Sequence, residues 1–375
     1  FPFYFFAGGC RGMRLLHLLL LTAWGLVENL DKAVRSKNPG VYADWVALKG
    51  KWQRPEDALP PSPRRKVAFL LMGRSGLLFE SAWRAFFQAG DPALFTVHMH
   101  LTERHTTPKG ADFGFWEKHM VDRQNTSWCK LEPARFELAA RALEDANVSH
   151  LVWLSGDSVP VKTLEQVHAS VTATDASTFC RDQRHPQRMR AEMWAIWSRP
   201  HAGLLVRNQD KLYRLFDGVS GACYDEDFYV NQLSVLGEQA SMRQACPMWT
   251  HWIEKHGYPR DAPAPTLLSD SCSTKNPSQN MHPAMFYTVC PAGIMELVES
   301  PAVLFARKFF RDAKIDHGTT DWTDSHGNQR YEPLASFISH TLALVPEDPE
   351  RGVRPPKARQ RLLRPKTVAD LRHEI

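Results

Sequence analysis

None of the seven cysteines forms a Cys-x-x-Cys pair, so neither a zinc site nor a dithiol redox motif is indicated. A phosphate loop is missing as well, because Gly73-Arg74-Ser75-Gly76 lacks the Lys-Ser/Thr that would have to follow it. No strong charge of one sign is present: 46 basic against 41 acidic residues leave a net charge of +5. Much of that excess sits in Arg351–Lys366 and around Arg64-Arg65-Lys66. This balance argues against nucleic acid as the main partner and leaves room for an anionic small ligand. Internal repeats are absent. No apolar run reaches the roughly 20 residues that cross a bilayer. The longest candidate, Leu15–Val27, is interrupted by His17, Thr22 and Gly25. Arg11 and Arg14 precede it, the charge order of a signal anchor (residues 1–30) that keeps the remainder in a lumen; a cleaved signal peptide or a buried helix are the other readings.

With 375 residues, 43% of them hydrophobic, the chain has material for a substantial core. Pro and charge enrich Glu56–Arg65, so residues 31–65 read as a stem or linker. A folded region is expected from residue 66 to 316, with a basic, weakly ordered tail over 317–375. Within the folded region, the apolar run Val67–Met72 leads through Gly73 and Gly76 to a helical pattern in Phe79, Trp83, Phe86 and Phe87. Leu94–His98, His150–Leu154, Thr178–Cys180, Met193–Trp197 and Val303–Phe305 read as further strands. Helices are expected over Pro133–Ala146, Leu164–Val171, Pro200–Leu205 and Pro291–Val298. Alternation of strands and helices implies an α/β fold with a mainly parallel sheet.

Open parallel sheets bind ligands beyond the carboxyl ends of their strands, which directs attention to Gly73–Gly76, Met99-His100 and Ser155–Ser158. His98 and His100 alternate on a strand and so share a side, where they could hold a metal or simply make a polar strand end. Gly156-Asp157-Ser158 suggests a serine hydrolase, but no Asp-x-x-His follows near the C-terminus. Tyr224-Asp225-Glu226-Asp227-Phe228 is the richest cluster. Three carboxylates suit the first turn of a helix running through Tyr229 and Leu233, where the helix dipole favours them, and they also suit proton transfer. The sequons Asn125-Thr126-Ser127 and Asn147-Val148-Ser149 fit a lumenal chain, in which the six cysteines after Cys10 could form three bridges.

Lys66–Met72, the Trp83–Phe87 helix, Trp128-Cys129, Ala134–Leu143, Leu154–Thr163, Tyr224–Phe228 and Leu304–Phe309 follow one another in a family-specific order. The chain resembles the core-2/I-branching β-1,6-N-acetylglucosaminyltransferase family, with its plant-like relatives and xylosyltransferases, from about Lys66 to Asp316. The resemblance implies a GT-A-like, Rossmann-type mixed, mainly parallel sheet flanked by helices in a single catalytic domain. It implies inverting transfer of a sugar, with N-acetylglucosamine expected, from a UDP-sugar to a glycan or glycoprotein, without a metal cofactor. It also implies a single-pass type II Golgi membrane protein with a lumenal catalytic domain and no nucleic acid partner.

By the same resemblance, Glu226 matches the general base and Lys308 the lysine that holds the diphosphate, with Arg307 beside it. An arginine that the family places upstream is absent, since that stretch reads Met281-His282-Pro283-Ala284-Met285, so His282 is a candidate in its stead. His100 stands where the family has an acidic residue near the uridine. Met72, Gly73 and Asp157, in the strand-end loops, complete the expected donor side. Trp249, His251 and Trp252 fall at acceptor positions, and Arg188, Arg190 and Glu192 lie in a loop that could bond sugar hydroxyls. Two alternatives share this pattern: a xylosyl- or glucuronosyltransferase on the same scaffold, and a non-catalytic glycan-binding member.

Overall fold

A computed structural model describes residues 57–61, 64–103, 114–181, 190–216, 223–251, 274–276, 283–316 and 331–343. Strand β1 (Lys66–Gly73) is apolar at nearly every position, and Val67–Leu71 are fully buried, as a strand covered on both faces requires. Helix α1 (Glu80–Ala89) places Trp83, Phe86 and Phe87 on one stripe against it, and Phe69 meets Phe86 and Phe87 edge-on at 5.6 and 5.3 Å. The next strand, β2 (Phe95–Leu101), pairs parallel with β1. Helix α2 (Glu132–Leu143) then leads to β3 (Val148–Ser155), parallel to β1 on its other side. Met72 thus lies between His100 and Ser155, and three strand ends open side by side.

Beyond β3 come the short β4 (Val159–Pro160), helix α3 (Leu164–Thr172) with a Thr163/Gln166 capping box, and β5 (Ser177–Phe179). Strand β6 (Ile196–Ser198) runs antiparallel to β3. Helices α4 (Arg199–Arg207) and α5 (Gln209–Phe216) follow, then α6 (Tyr224–Val235) and β7 (Met242–Gln244). Together these strands form a mixed six-stranded sheet in the order β2-β1-β3-β6-β5-β7, flanked by helices, compatible with a single GT-A-like domain. Helix α6 has no polar face to give to water: Phe228, Tyr229, Val230 and Leu233 are all buried, so it runs through the interior.

Two smaller sheets complete the described fold. In one, β8 (Met248–Thr250) and β11 (Phe305–Arg307) are parallel while β4 pairs antiparallel with β11. The other joins β9 (Thr274–Asn276), β10 (Met285–Val289), β12 (Phe309–Ile315) and β13 (Glu332–Pro333), with α7 (Pro291–Glu299) between β10 and β11.

Three expectations shift. Strand character in Met193–Trp197 starts only at Ile196, because Ala195 turns back to donate to the Met193 carbonyl. The late strand begins at Phe305 rather than Val303, since the amides of Leu304 and Phe305 both point at the Pro247 carbonyl. Part of the expected weakly ordered tail belongs to the fold: helix α8 (Leu334–Thr341) buries Leu334, Phe337 and Ile338 against α1 and β12. Among the described residues no helix is long and apolar enough to cross a membrane, and the Leu15–Val27 run lies outside them, as do the Cys10 and Cys272 positions.

Candidate active site

The ends of β1, β2 and β3 form the floor of a cavity of about 760 Å³. Close backbone packing shapes that floor. The Gly156 amide donates to the Met72 carbonyl at 2.7 Å, and a Cβ on Gly73 or Gly156 would stand 2.6 or 2.9 Å from the Gly76 carbonyl oxygen. Met72, Gly73, His100, Asp157, Glu192, Glu226, Arg307 and Lys308 all line this one space. Arg190 joins them indirectly, through an ion pair with Glu226.

Pairing of β11 with β4, Ala306 opposite Val159, sets Arg307 against the loop that precedes β4. Arg307 Nε and Nη2 donate to the two Asp157 oxygens at 3.1 and 3.3 Å, and Lys308 Nζ lies 3.7 Å from Asp157 Oδ2. Ser155 Oγ also donates to Asp157, and the guanidinium of Arg307 lies 4.8 Å from the Trp194 ring centroid. Burial alone would raise the Asp157 pKa, but Arg307, Lys308 and the Ser155 hydroxyl hold it below the usual carboxylate value. Burial lowers Lys308, opposed by Asp157 and reinforced by Arg307.

On the opposite side stands the first turn of α6. Its N-cap, Cys223, is bonded to Cys129, and the Tyr224 amide donates to the Cys129 carbonyl at 3.2 Å. The acidic cluster lies in the first turn of α6, where it meets the helix dipole, and its Glu226 lines the cavity. Asp225 accepts from the Leu131 amide at 2.8 Å, and Asp227 is buried.

Beneath Glu226 lies a buried charge network that sequence reasoning missed. Arg135 is enclosed by the rings of Trp153, Trp197 and Tyr229, at 4.3, 4.9 and 4.3 Å from their centroids, and donates to the Met193 carbonyl at 3.0 Å. Glu132 and Asp225 share this region; burial, with repulsion from Asp225, pushes Glu132 up to about 7, and burial pushes Asp225 up to about 6. The pair then holds a proton near neutrality and leaves one negative charge for Arg135. Because both folded-state values lie above the unfolded ones, the stabilisation from this proton is complete below about pH 4 and declines as pH rises through about 7. Glu132→Gln mimics the protonated member. Thermal unfolding should show this variant more stable than the parent at pH 8, by about 1–2 kcal/mol, with the two converging at pH 5. A larger difference at pH 5 than at pH 8 would contradict the assignment.

Other expected residues are placed elsewhere. Trp249 is buried and, with His251, packs on Phe286 at ring distances of 5.8 and 5.7 Å; neither lines the cavity. Arg188, Trp252 and His282 lie outside the described residues, although Pro283 does line the cavity. The serine-hydrolase reading loses its nucleophile, since Ser158 is fully buried and its hydroxyl donates to the Ser155 carbonyl at 2.6 Å. His100 faces the cavity and accepts from the Gln124 amide at 3.0 Å. His98 is half-buried, and burial, with repulsion from His119, lowers it to about 4. Among the described residues no group of three or more His, Cys, Asp or Glu is arranged to hold a metal. Of the two sequons, Asn125 is exposed, whereas Ser149 is fully buried with its hydroxyl on the Lys66 carbonyl. Trp128 and Trp194 were not anticipated in the cavity; an aromatic beside a cysteine was the one sequence signal for the first.

Residues 67–193 match the family model described as Core-2/I-Branching enzyme. A rice protein, glycosyltransferase BC10 of Oryza sativa subsp. japonica, is 25% identical over 179 residues, which cover 42% of this chain. The match spans 44% of the length of that protein. The matched region carries the cavity floor formed by the ends of β1, β2 and β3, while Glu226, Arg307 and Lys308 lie outside it in sequence, on α6, at the end of β11 and just after it. Both findings support the core-2/I-branching family, plant-like relatives included, and a glycosyltransferase.

Proposed function

We propose that this chain is a core-2/I-branching enzyme that transfers a sugar from a UDP-sugar to a hydroxyl of a glycan or glycoprotein with inversion, N-acetylglucosamine being the first sugar to test. One observation carries the reading: Glu226 and Lys308, distant in sequence, line a single cavity. An inverting displacement needs a carboxylate to take the acceptor proton as its oxygen attacks the anomeric carbon, and Glu226 is the base assigned to this. The departing diphosphate needs positive charge, for which Lys308 and Arg307 are assigned in place of a metal. His100, Met72, Gly73 and Asp157 shape the donor end, and Glu192 and Arg190 the acceptor end. Since Arg190 pairs with Glu226, an incoming hydroxyl has to compete with that guanidinium for the base.

The same ion pair favours a second reading, a glycan-binding chain without turnover, in which Arg190 occupies the carboxylate permanently. A lumenal Golgi setting is supported by the bridges Cys129–Cys223 and Cys180–Cys246, which persist in an oxidising compartment, and the anchor reading rests on the Leu15–Val27 run.

UDP release from a panel of UDP-sugars, measured with and without EDTA, tests the proposal. Turnover with one donor that survives EDTA is the expected result. Loss of activity in EDTA would overturn the metal-free assignment, and silence with every donor would favour the second reading.

A further inference from the structure

At the mouth of the cavity stands an indole to which no role has been given. Trp128 is 71% exposed and lines the same space as Glu226. Tyr287 and Tyr331 are the other exposed large aromatics among the described residues, and neither lines the cavity. The backbone around Trp128 is held firmly. Ser127 and Lys130 exchange hydrogen bonds of 3.2 and 3.0 Å across the turn, and Cys129 adopts a left-handed φ of 61°. A non-glycine residue keeps that conformation only where its surroundings over-determine it. Here they do so through the Cys129–Cys223 bridge, the bond from the Tyr224 amide to the Cys129 carbonyl, and the bond from the Leu131 amide to Asp225.

These ties bind the backbone of the Trp128 turn to the first turn of α6, the turn that bears Glu226. The cationic end of the cavity, Arg307 and Lys308 around Asp157, suits an anionic diphosphate and not an apolar ring face. A pyranose presents a face of C–H groups, which an indole covers at little cost in side-chain entropy.

We infer that Trp128 is the platform on which the sugar ring of the acceptor stacks, placing a hydroxyl toward Glu226. This rests on the transferase reading for its meaning, but its test does not need turnover. Saturation-transfer NMR would follow methyl β-D-galactopyranoside and methyl β-D-glucopyranoside with the full chain, Trp128→Ala and Trp128→Phe, and calorimetry would follow UDP. The expected outcome is a roughly tenfold or greater loss of sugar binding in Trp128→Ala, partial return in Trp128→Phe, and UDP affinity within about twofold of the parent. Equal sugar binding by parent and Trp128→Ala would overturn the inference, and so would absence of sugar binding in the parent. A fall in UDP affinity at unchanged melting temperature would put the indole on the nucleotide and overturn it too. Failure of the two proposals is separable: sugar binding through Trp128 without turnover would sink the transferase reading alone, and transfer with an unchanged acceptor KM in Trp128→Ala would sink the platform alone.

Discussion

Glu226→Gln should lower turnover by about 10²–10⁴-fold, the range a positioned general base contributes, while UDP affinity stays within about twofold. Gln keeps the length of the side chain and its place in the first turn of α6, so the loss isolates proton acceptance from shape. Two features of the site make the separation clean. Glu226 is fixed through its own backbone, whose carbonyl accepts from the Ala191 amide at 2.8 Å, so the helix start does not depend on the carboxylate. The two cations assigned to the diphosphate, Arg307 at the end of β11 and Lys308 after it, pair with Asp157 and not with Glu226. UDP release under saturating donor and acceptor, with calorimetric titration of UDP alongside, reads both quantities. Near-parental turnover in Glu226→Gln would remove this residue from the role of base.

Arg307→Ala and Lys308→Ala should part company. The side chains of Arg307 and Asp157 are 12% and 16% exposed and share two hydrogen bonds. Removal of the guanidinium leaves a largely buried carboxylate with only Ser155 and the more distant Lys308, a change that costs about 3 kcal/mol. For a domain of this size, that is a drop in melting temperature of roughly 6–10 °C. Arg307→Ala with Asp157→Asn should recover part of the loss, because the second substitution removes the stranded charge. Lys308→Ala should leave the melting temperature within about 2 °C, since its contact with Asp157 is longer and the pair Asp157–Arg307 survives. Its effect belongs to the ligand: UDP affinity should fall about tenfold to a hundredfold as one cation leaves the diphosphate end. Equal melting temperatures for Arg307→Ala and the parent would show that the pair does not hold the β3–β4 loop. Unchanged UDP affinity in Lys308→Ala would take the lysine off the diphosphate.

Much of the scaffold was legible because each signal was local. Val67–Met72 is a short apolar run closed by Gly73 and Gly76, the pattern of a strand covered on both faces, and the 3–4 spacing of Trp83, Phe86 and Phe87 writes one face of a helix. The acidic first turn of α6 follows from three carboxylates meeting a helix N-terminus. Short strands were harder: β6 and β11 span three residues each, and carbonyls elsewhere in the chain decide where they begin. Trp249 reads from the sequence equally as an acceptor aromatic or as a core tryptophan on a strand, and in the fold it is buried against Phe286.

The chain on its own determined the α/β alternation, the strand-end loops, the resemblance to core-2/I-branching enzymes and the identity of Glu226 and Lys308 as residues to watch. Only the tertiary structure decided that these two share a cavity, that Asp157 is held by Arg307, that Cys129 pairs with Cys223 and that Trp128 lines the same cavity as Glu226. The division has one physical cause. Periodicity and capping act within a few residues and leave their pattern in the sequence, whereas strand pairing such as β4 with β11 and a bridge across 94 residues join segments whose local composition says nothing of each other.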